Sequence, residues 1–331
     1  MAAKPRVAVT RLIPEAGLDL LRPRCDVRVW EGDLPPSGEE LDELLDGAAA
    51  ALTLLTENID GALLDRHPSI RVVSNFAVGF DNVDVEAATA RGVAVCNTPG
   101  VLTSTTAEFA FTLLMAAARR VVEASTYVRD GKWQTWGPKL LLGQDIVGAT
   151  LGIVGFGRIG KELARMATGF EMRIIANDSY QDPNAEGEYG VTYVELDDLL
   201  EQSDFVSLHV ALTPETRHLI STRELGIMKS TAVLINAARG PVVDTDALVT
   251  ALQNGEIFAA GLDVTDPEPL PVEHPLVSLP NCIVVPHIAS ATVTTRDAMA
   301  ELAARNILAV LDGKEPEVIV NPEVLTTGSP E

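Results

Sequence analysis

The chain has 331 residues, 47% of them hydrophobic, which is room for one large domain or two ordinary ones and excludes collagen-like and disordered classes. Twenty-five Lys and Arg against 47 Asp and Glu leave a net charge of −22; that surface repels phosphate backbones and anionic lipid, so neither nucleic acid nor membrane is an expected partner. Cys25, Cys96 and Cys282 are scattered without CxxC or metal-like spacing, so reduced core thiols, no bound metal and a cytoplasmic setting are expected.

The N-terminus runs straight into Arg6-Val-Ala-Val, a strand-like segment with no signal-type apolar region before it. Ala50-Ala-Leu-Thr-Leu-Leu, Val72-Val-Ser-Asn and Val93-Ala-Val-Cys read as further strands, with helices at Glu39 to Leu45 and Val83 to Arg91 between them. One long helix is predicted from Thr105 to about Asp130, with Thr105 and Glu108 as a capping box. Its apolar stripe would be Ala107, Ala110, Phe111, Leu114, Ala118, Val121 and Val122. The longest apolar stretch of the chain, Phe109 to Ala118, lies inside this helix and is too short to cross a bilayer. A second series of strands follows: Leu151-Gly-Ile-Val, Arg173-Ile-Ile-Ala, Phe205-Val-Ser-Leu, Ala232-Val-Leu-Ile, Ala259-Ala-Gly-Leu and Cys282-Ile-Val-Val. A helix from about Thr294 to Leu311 closes the pattern. Strands alternating with helices imply two doubly wound α/β domains with parallel sheets, joined near residue 100 and again near residue 290.

Gly155-Phe156-Gly157-Arg158-Ile159-Gly160 fits GxGxxG between a predicted strand and a predicted helix, the context in which the motif binds pyrophosphate. The next strand ends at Asp178, 18 residues beyond Gly160, where an acid binds adenosine ribose hydroxyls. Asp178 would repel a 2′-phosphate, so NAD(H) is expected in preference to NADP(H). Ligands of open α/β sheets lie beyond the carboxyl ends of the strands. There the sequence places His209 and Thr213, Ala237-Ala238-Arg239, Asp263 and His287.

Three of these strand-end and loop residues suggest chemistry. Arg239, held between Asn236-Ala-Ala and Gly240-Pro, offers a guanidinium fork for a carboxylate. Glu268 sits in Asp266-Pro-Glu-Pro and His287 follows Val285-Pro; an imidazole oriented by a carboxylate is a proton donor poised near neutrality. Spacing alone equally allows a surface Arg, a loop Glu and a strand-end His.

Val78-Gly-Phe-Asp-Asn82, Gly152-Ile-Val-Gly-Phe-Gly-Arg-Ile-Gly160, Asn236-Ala-Ala-Arg-Gly240 and Pro286-His-Ile-Ala-Ser-Ala291 resemble the D-isomer-specific 2-hydroxyacid dehydrogenases. Asn97-Thr-Pro-Gly-Val-Leu102, Gly131-Lys-Trp-Gln-Thr-Trp136 and Gly261-Leu-Asp-Val-Thr-Asp-Pro-Glu-Pro-Leu-Pro271 are similar to the glyoxylate/hydroxypyruvate reductases within that family. The resemblance implies a Rossmann dinucleotide-binding domain, residues 100–289, inserted in a flavodoxin-like substrate domain made of residues 1–99 and 290–331. It also implies roles. Arg239 would hold the substrate carboxylate and carbonyl, His287 would be the acid/base, and Glu268 would orient it. The amides of Val78 and Gly79 would bind the substrate carboxylate, with Leu55 and Trp136 setting substrate size. Thr106, Arg158, Ile159, Asp178, Ala237, Asp263 and Ser290 would line the cofactor, and Trp136 would reach a partner's site in a homodimer. Ala77 stands where phosphite-oxidising relatives carry Lys, and Glu268 is present where formate-oxidising relatives replace it.

The expected reaction is reduction of a small 2-oxoacid, glyoxylate or hydroxypyruvate, by NADH. Two alternatives stay open: a broad D-2-hydroxyacid dehydrogenase, and a non-catalytic NADH-sensing protein that binds the nucleotide without turning it over.

Overall fold

The structure is a computed structural model and describes residues 3–325. The outermost residues assigned to the substrate domain, 1–2 and 326–331, lie outside the described residues. Along the chain come β1 (Arg6–Val9), α1 (Glu15–Leu21), β2 (Asp26–Val29), α2 (Gly38–Leu45), β3 (Ala50–Thr53), α3 (Gly61–Arg66), β4 (Val72–Asn75), α4 (Val85–Ala90) and β5 (Ala94–Cys96). Next are α5 (Thr103–Ala118), α6 (Val121–Arg129), β6 (Thr150–Val154), α7 (Arg158–Ala167), β7 (Arg173–Asn177), α8 (Ala185–Tyr189), β8 (Val191–Tyr193), α9 (Leu196–Gln202) and β9 (Phe205–Leu208). Then follow α10 (Thr222–Ile227), β10 (Val233–Asn236), α11 (Thr245–Asn254), β11 (Ala259–Leu262), α12 (Pro275–Ser278), β12 (Cys282–Val284) and α13 (Val293–Leu311).

These elements form two compact units, one running to Leu102 and resuming at Ala291, the other Thr103–Ser290. The first holds a parallel sheet of order β2-β1-β3-β4-β5, the flavodoxin-like order. The second holds a seven-stranded parallel sheet, β12-β11-β10-β9-β6-β7-β8, which is the Rossmann order with a seventh strand added.

Strand alternation explains why the runs are apolar throughout. On β6, β9 and β10, Leu151, Ile153, Phe205, Val233 and Ile235 face one core with Phe111, Leu114 and Leu163. Val154, Val206, Leu208 and Leu234 face the other, with Leu199, Leu225 and Leu248. A sheet buried on both faces needs no polar side. All three cysteines are buried free thiols; burial pushes Cys96 and Cys282 up to about 12, far from reactive thiolate.

The single long helix expected from Thr105 is corrected. The helix starts two residues earlier, at Thr103, so Thr105 lies in its first turn and cannot cap it. It stops at Ala118, and Arg120 takes a left-handed conformation (φ 52°) before α6. The cause is a distant backbone segment: Gln144 N donates to Ala118 O at 2.9 Å, and a Cβ on Gly143 would lie 2.3 Å from that same oxygen. Arg120 then pairs with Glu123 through two 2.7 Å hydrogen bonds. Val121 and Val122, assigned to the apolar stripe, are exposed instead. Strands β2 and β8 have no counterpart in the sequence reading. Both are edge strands, and β2 alternates Asp and Arg with Val at half-exposed positions.

In the first unit α1 crosses α13 so closely that a Cβ on Gly17 would lie 2.6 Å from Ala300 O and 2.8 Å from Ala300 Cβ. Ala in place of Gly gains up to about 1 kcal/mol of helix propensity, whereas overpacking against fixed backbone costs about 1–3 kcal/mol. Gly17→Ala should therefore lower the melting temperature by several degrees. A melt at or above wild type would show that the two helices part freely.

Candidate active site

The carboxyl ends of five strands stand in one row, with Val154, Leu208, Asn236, Leu262 and Val284 as successive partners across the sheet. The chain therefore leaves β6, β9, β10, β11 and β12 at the same edge, delivering Gly155, His209, Ala237, Asp263 and Val285 there. Asn236 folds the turn after β10: its Oδ1 accepts from Ala238 N (3.1 Å) and its Nδ2 donates to Arg239 O (2.9 Å). The Arg239 guanidinium donates through Nη1 to Ala238 O at 2.9 Å. A Cβ on Gly240 would sit 1.9 Å from Thr265 O, so this turn abuts the loop carrying Glu268 backbone to backbone.

His287 occupies the left-handed region (φ 54°), which a non-glycine residue holds only when its surroundings fix it. Asp263 does the fixing. Its carbonyl accepts from His287 N (2.9 Å), and its carboxylate accepts from Ile288 N (2.7 Å) and Ala289 N (3.1 Å). So held, His287 donates through Nδ1 to Glu268 Oε1 at 2.7 Å, while Thr265 N donates to Glu268 Oε2 at 3.3 Å. Among the described residues, His287 Nε2 has no hydrogen-bond partner.

Charges follow from these contacts. Burial works against the Glu268 carboxylate, but the hydrogen bond and charge of His287, the Thr265 amide and the Arg239 charge hold it below its usual range. Burial pushes Asp263 up, and the Ile288 and Ala289 amides offset only part of that. Burial drives His209 down to about 4, so its imidazole is neutral. His209 Nε2 lies 2.8 Å from Ser207 Oγ, and its Nδ1 is buried without a partner among the described residues.

The glycine-rich turn fits a dinucleotide. Gly155 has φ +93° and a Cβ there would lie 2.7 Å from the His209 and Val210 backbone; a Cβ on Gly160 would lie 2.4 Å from Gly155 O. These two glycines permit close packing, whereas a Cβ on Gly157 meets nothing within 4 Å. Open space over the second glycine, at the uncapped N-terminus of α7, is where the motif admits pyrophosphate. Asp178, just past β7, accepts from Phe156 N (2.6 Å) and Tyr180 N (2.9 Å), which sets its carboxylate against the glycine-rich turn.

The remaining candidates are spread more widely. Thr106 is buried on α5, Thr213 lies on the exposed loop after β9, and Ser290 is the last residue of the second unit. Trp136 is 78% exposed. Leu55, Val78 and Gly79 belong to the other unit, just past the carboxyl ends of β3 and β4. Asn236 had no role in the sequence reading; its position three residues before Arg239, at a strand end, was the available signal.

A Rossmann sheet with this turn at its switch point, and an Arg and a Glu–His pair at the same edge, defines a nicotinamide-dependent oxidoreductase. The chain belongs to the D-isomer specific 2-hydroxyacid dehydrogenase family, whose NAD-binding domain matches residues 111–289. It is 52% identical over 328 residues to a glyoxylate reductase of Korarchaeum cryptofilum, covering 99% of each chain. A Thermus thermophilus protein of known structure superposes with a TM-score of 0.90 at 48% identity, covering 95% of this chain and 99% of that one. An NADPH-dependent glyoxylate/hydroxypyruvate reductase of Sinorhizobium meliloti, solved with NADP and malonate, gives 0.86 at 34% identity, covering 96% and 97%.

Proposed function

We propose that the chain reduces glyoxylate or hydroxypyruvate to the 2-hydroxyacid, with NADH preferred to NADPH. The observation that carries this reading is the 2.7 Å Glu268–His287 contact, at the same sheet edge as Arg239 and the glycine-rich turn. Bound NADH supplies the hydride that adds to C2 of the substrate. Arg239 grips the substrate carboxylate and draws charge onto the carbonyl oxygen. His287 gives that oxygen its proton from Nε2, and Glu268 holds the ring by Nδ1. The amides of Val78 and Gly79 donate to the substrate carboxylate.

The NADH preference rests on Asp178, whose charge beside the glycine-rich turn disfavours a 2′-phosphate. The Sinorhizobium enzyme's use of NADPH makes this the finer point to test. Steady-state rates with NADH and NADPH against glyoxylate, hydroxypyruvate, pyruvate and a bulky 2-oxoacid decide it. NADH with the two small substrates should be most efficient, and Asp178→Ala should narrow the cofactor preference about tenfold, mainly by weakening NADH. Equal efficiency with both cofactors removes the role given to Asp178. Tight NADH binding with no turnover of any 2-oxoacid favours the sensing protein.

We further read the protein as a cytoplasmic homodimer that binds no nucleic acid. Val121, Val122, Val128, Trp133, Trp136, Leu142 and Val147 are all exposed within one short stretch of chain, apolar side chains that a second copy would cover. No helix among the described residues is long and apolar enough to cross a membrane.

A further inference from the structure

We propose that Asn97 and Asn75 are positioning residues that turn three consecutive amides, those of Val78, Gly79 and Phe80, into an anion-binding nest for the substrate carboxylate. The inference rests on the reading that this loop receives the carboxylate, and it adds what makes the loop able to do so.

Three consecutive carbonyls after β4 are tied down by hydrogen bonds. Thr98 N donates to Ala77 O at 2.8 Å, Asn97 Nδ2 to Val78 O at 2.7 Å, and Asn75 Nδ2 to Gly79 O at 2.9 Å. In a trans peptide unit the N–H points opposite to the C=O of the same unit. Pinning carbonyls 77, 78 and 79 therefore turns the N–H groups of Val78, Gly79 and Phe80 away from Thr98, Asn97 and Asn75. Among the described residues none of these three amides donates to the protein. Amides left without a protein acceptor and turned away from the groups that pin their carbonyls are donors available to an anion.

Both asparagines are built in. Asn75 is 0% exposed and Asn97 6% exposed. Asn75 Oδ1 accepts from Thr53 Oγ1 at 3.0 Å, and its Nδ2 also donates to Asn82 Oδ1 at 3.1 Å. Asn82 Nδ2 donates in turn to Leu54 O and Glu57 O, both at 2.9 Å. The buried Glu57 carboxylate accepts from Thr10 Oγ1 (2.6 Å) and Leu54 N (2.8 Å). The ends of β1, β3 and β4 are thus locked to one another, and a loop pinned to them keeps its amides in place before substrate arrives. Pre-set donors of this kind do not have to reorganise on binding.

The test compares glyoxylate with methyl glyoxylate, which keeps the carbonyl and lacks the charge, in the full-length enzyme with NADH. Asn97→Ala frees the Val78 carbonyl, so KM for glyoxylate should rise about tenfold, the scale of one charge-assisted hydrogen bond. Rates with the ester should barely change, and KM for NADH should stay put. The preference for the acid over the ester then falls about tenfold. Equal losses with acid and ester would mean that Asn97 only holds the fold, and the inference fails. Should Asn97→Ala not fold, backbone amide NMR of the wild type with oxamate, a carboxylate that resists reduction, gives the second readout. Shifts centred on Val78, Gly79 and Phe80 support the nest; three unmoved amides in an enzyme that reduces glyoxylate overturn it and leave the proposed reaction standing. A wild type that turns over no 2-oxoacid removes the reading beneath it, and the inference with it.

Discussion

Replacing His287 with Asn is expected to slow glyoxylate reduction by about 10²–10⁴-fold, the usual contribution of a positioned acid or base, while NADH binding is largely kept. The mechanism needs a protonated imidazole when substrate binds, because reduction consumes a proton at the new hydroxyl. Glu268 bears on that requirement. Despite its burial its carboxyl is held below the usual range, chiefly by His287, so an anionic carboxylate faces His287 Nδ1 at 2.7 Å. Glu268→Gln keeps the shape and deletes the charge. Turnover should then fall in both directions while KM for NADH stays put, because the neutral amide holds the Nδ1–H of His287 less firmly than the carboxylate at 2.7 Å. The lowered Glu268 pKa also stabilises the fold above the ordinary carboxylate range, and this is lost as pH falls through the folded value. Rates in both directions in wild type and Glu268→Gln decide the matter. If Glu268→Gln reduces glyoxylate as fast as the wild type, Glu268 does not position His287; if His287→Asn reduces glyoxylate normally, the proton comes from elsewhere.

Arg239→Lys should fold and bind NADH yet lose about 10²–10³-fold in turnover, the scale set by removing one pre-placed donor to a developing oxyanion. The turn is safe because Asn236 holds it through the main chain, with its Nδ2 on Arg239 O. What Lys lacks is the planar fork, anchored here by Nη1 on Ala238 O. Lys does keep the positive charge that helps hold Glu268 ionised, so the pH profile should stay in place while its height falls. Unchanged kcat/KM for glyoxylate would show that another cation grips the carboxylate.

Much of this fold is legible in the sequence because parallel strands buried on both faces leave short apolar runs, and polar residues directly after them must lie at one sheet edge. Gly155, His209, Arg239, Asp263 and His287 can be aligned on that ground alone. Other features depend on partners far away in the chain. The break at Arg120 is made by Gly143 and Gln144, and nothing near Ala118 announces it. Asp263 reads as a group facing the cofactor, while its grip on the Ile288 and Ala289 amides, some 25 residues on, leaves no mark in the sequence. Asn75 reads as the end of a strand, and Asn82 and Asn97 as parts of motifs; the hydrogen bonds they make do not show, since side-chain bonds to carbonyls of a neighbouring loop have no periodicity to detect. Strand β2, with charged residues at alternate positions, resembles an exposed loop until β1 pairs with it.

The first unit is interrupted at Leu102 and resumed at Ala291, and its closing helix α13 packs on α1, β3 and β4. That order matters during synthesis. At roughly 5–20 residues per second, the intervening Thr103–Ser290 takes about ten to forty seconds to make. Throughout that interval the sheet face around Ser74, whose hydroxyl later bonds Ala303 O, has emerged without its cover. The inserted unit, continuous in the chain, has every segment it needs before α13 exists. A ribosome therefore finishes the nucleotide-binding half first and leaves its host as a scaffold open on one side, closed only once α13 has followed it.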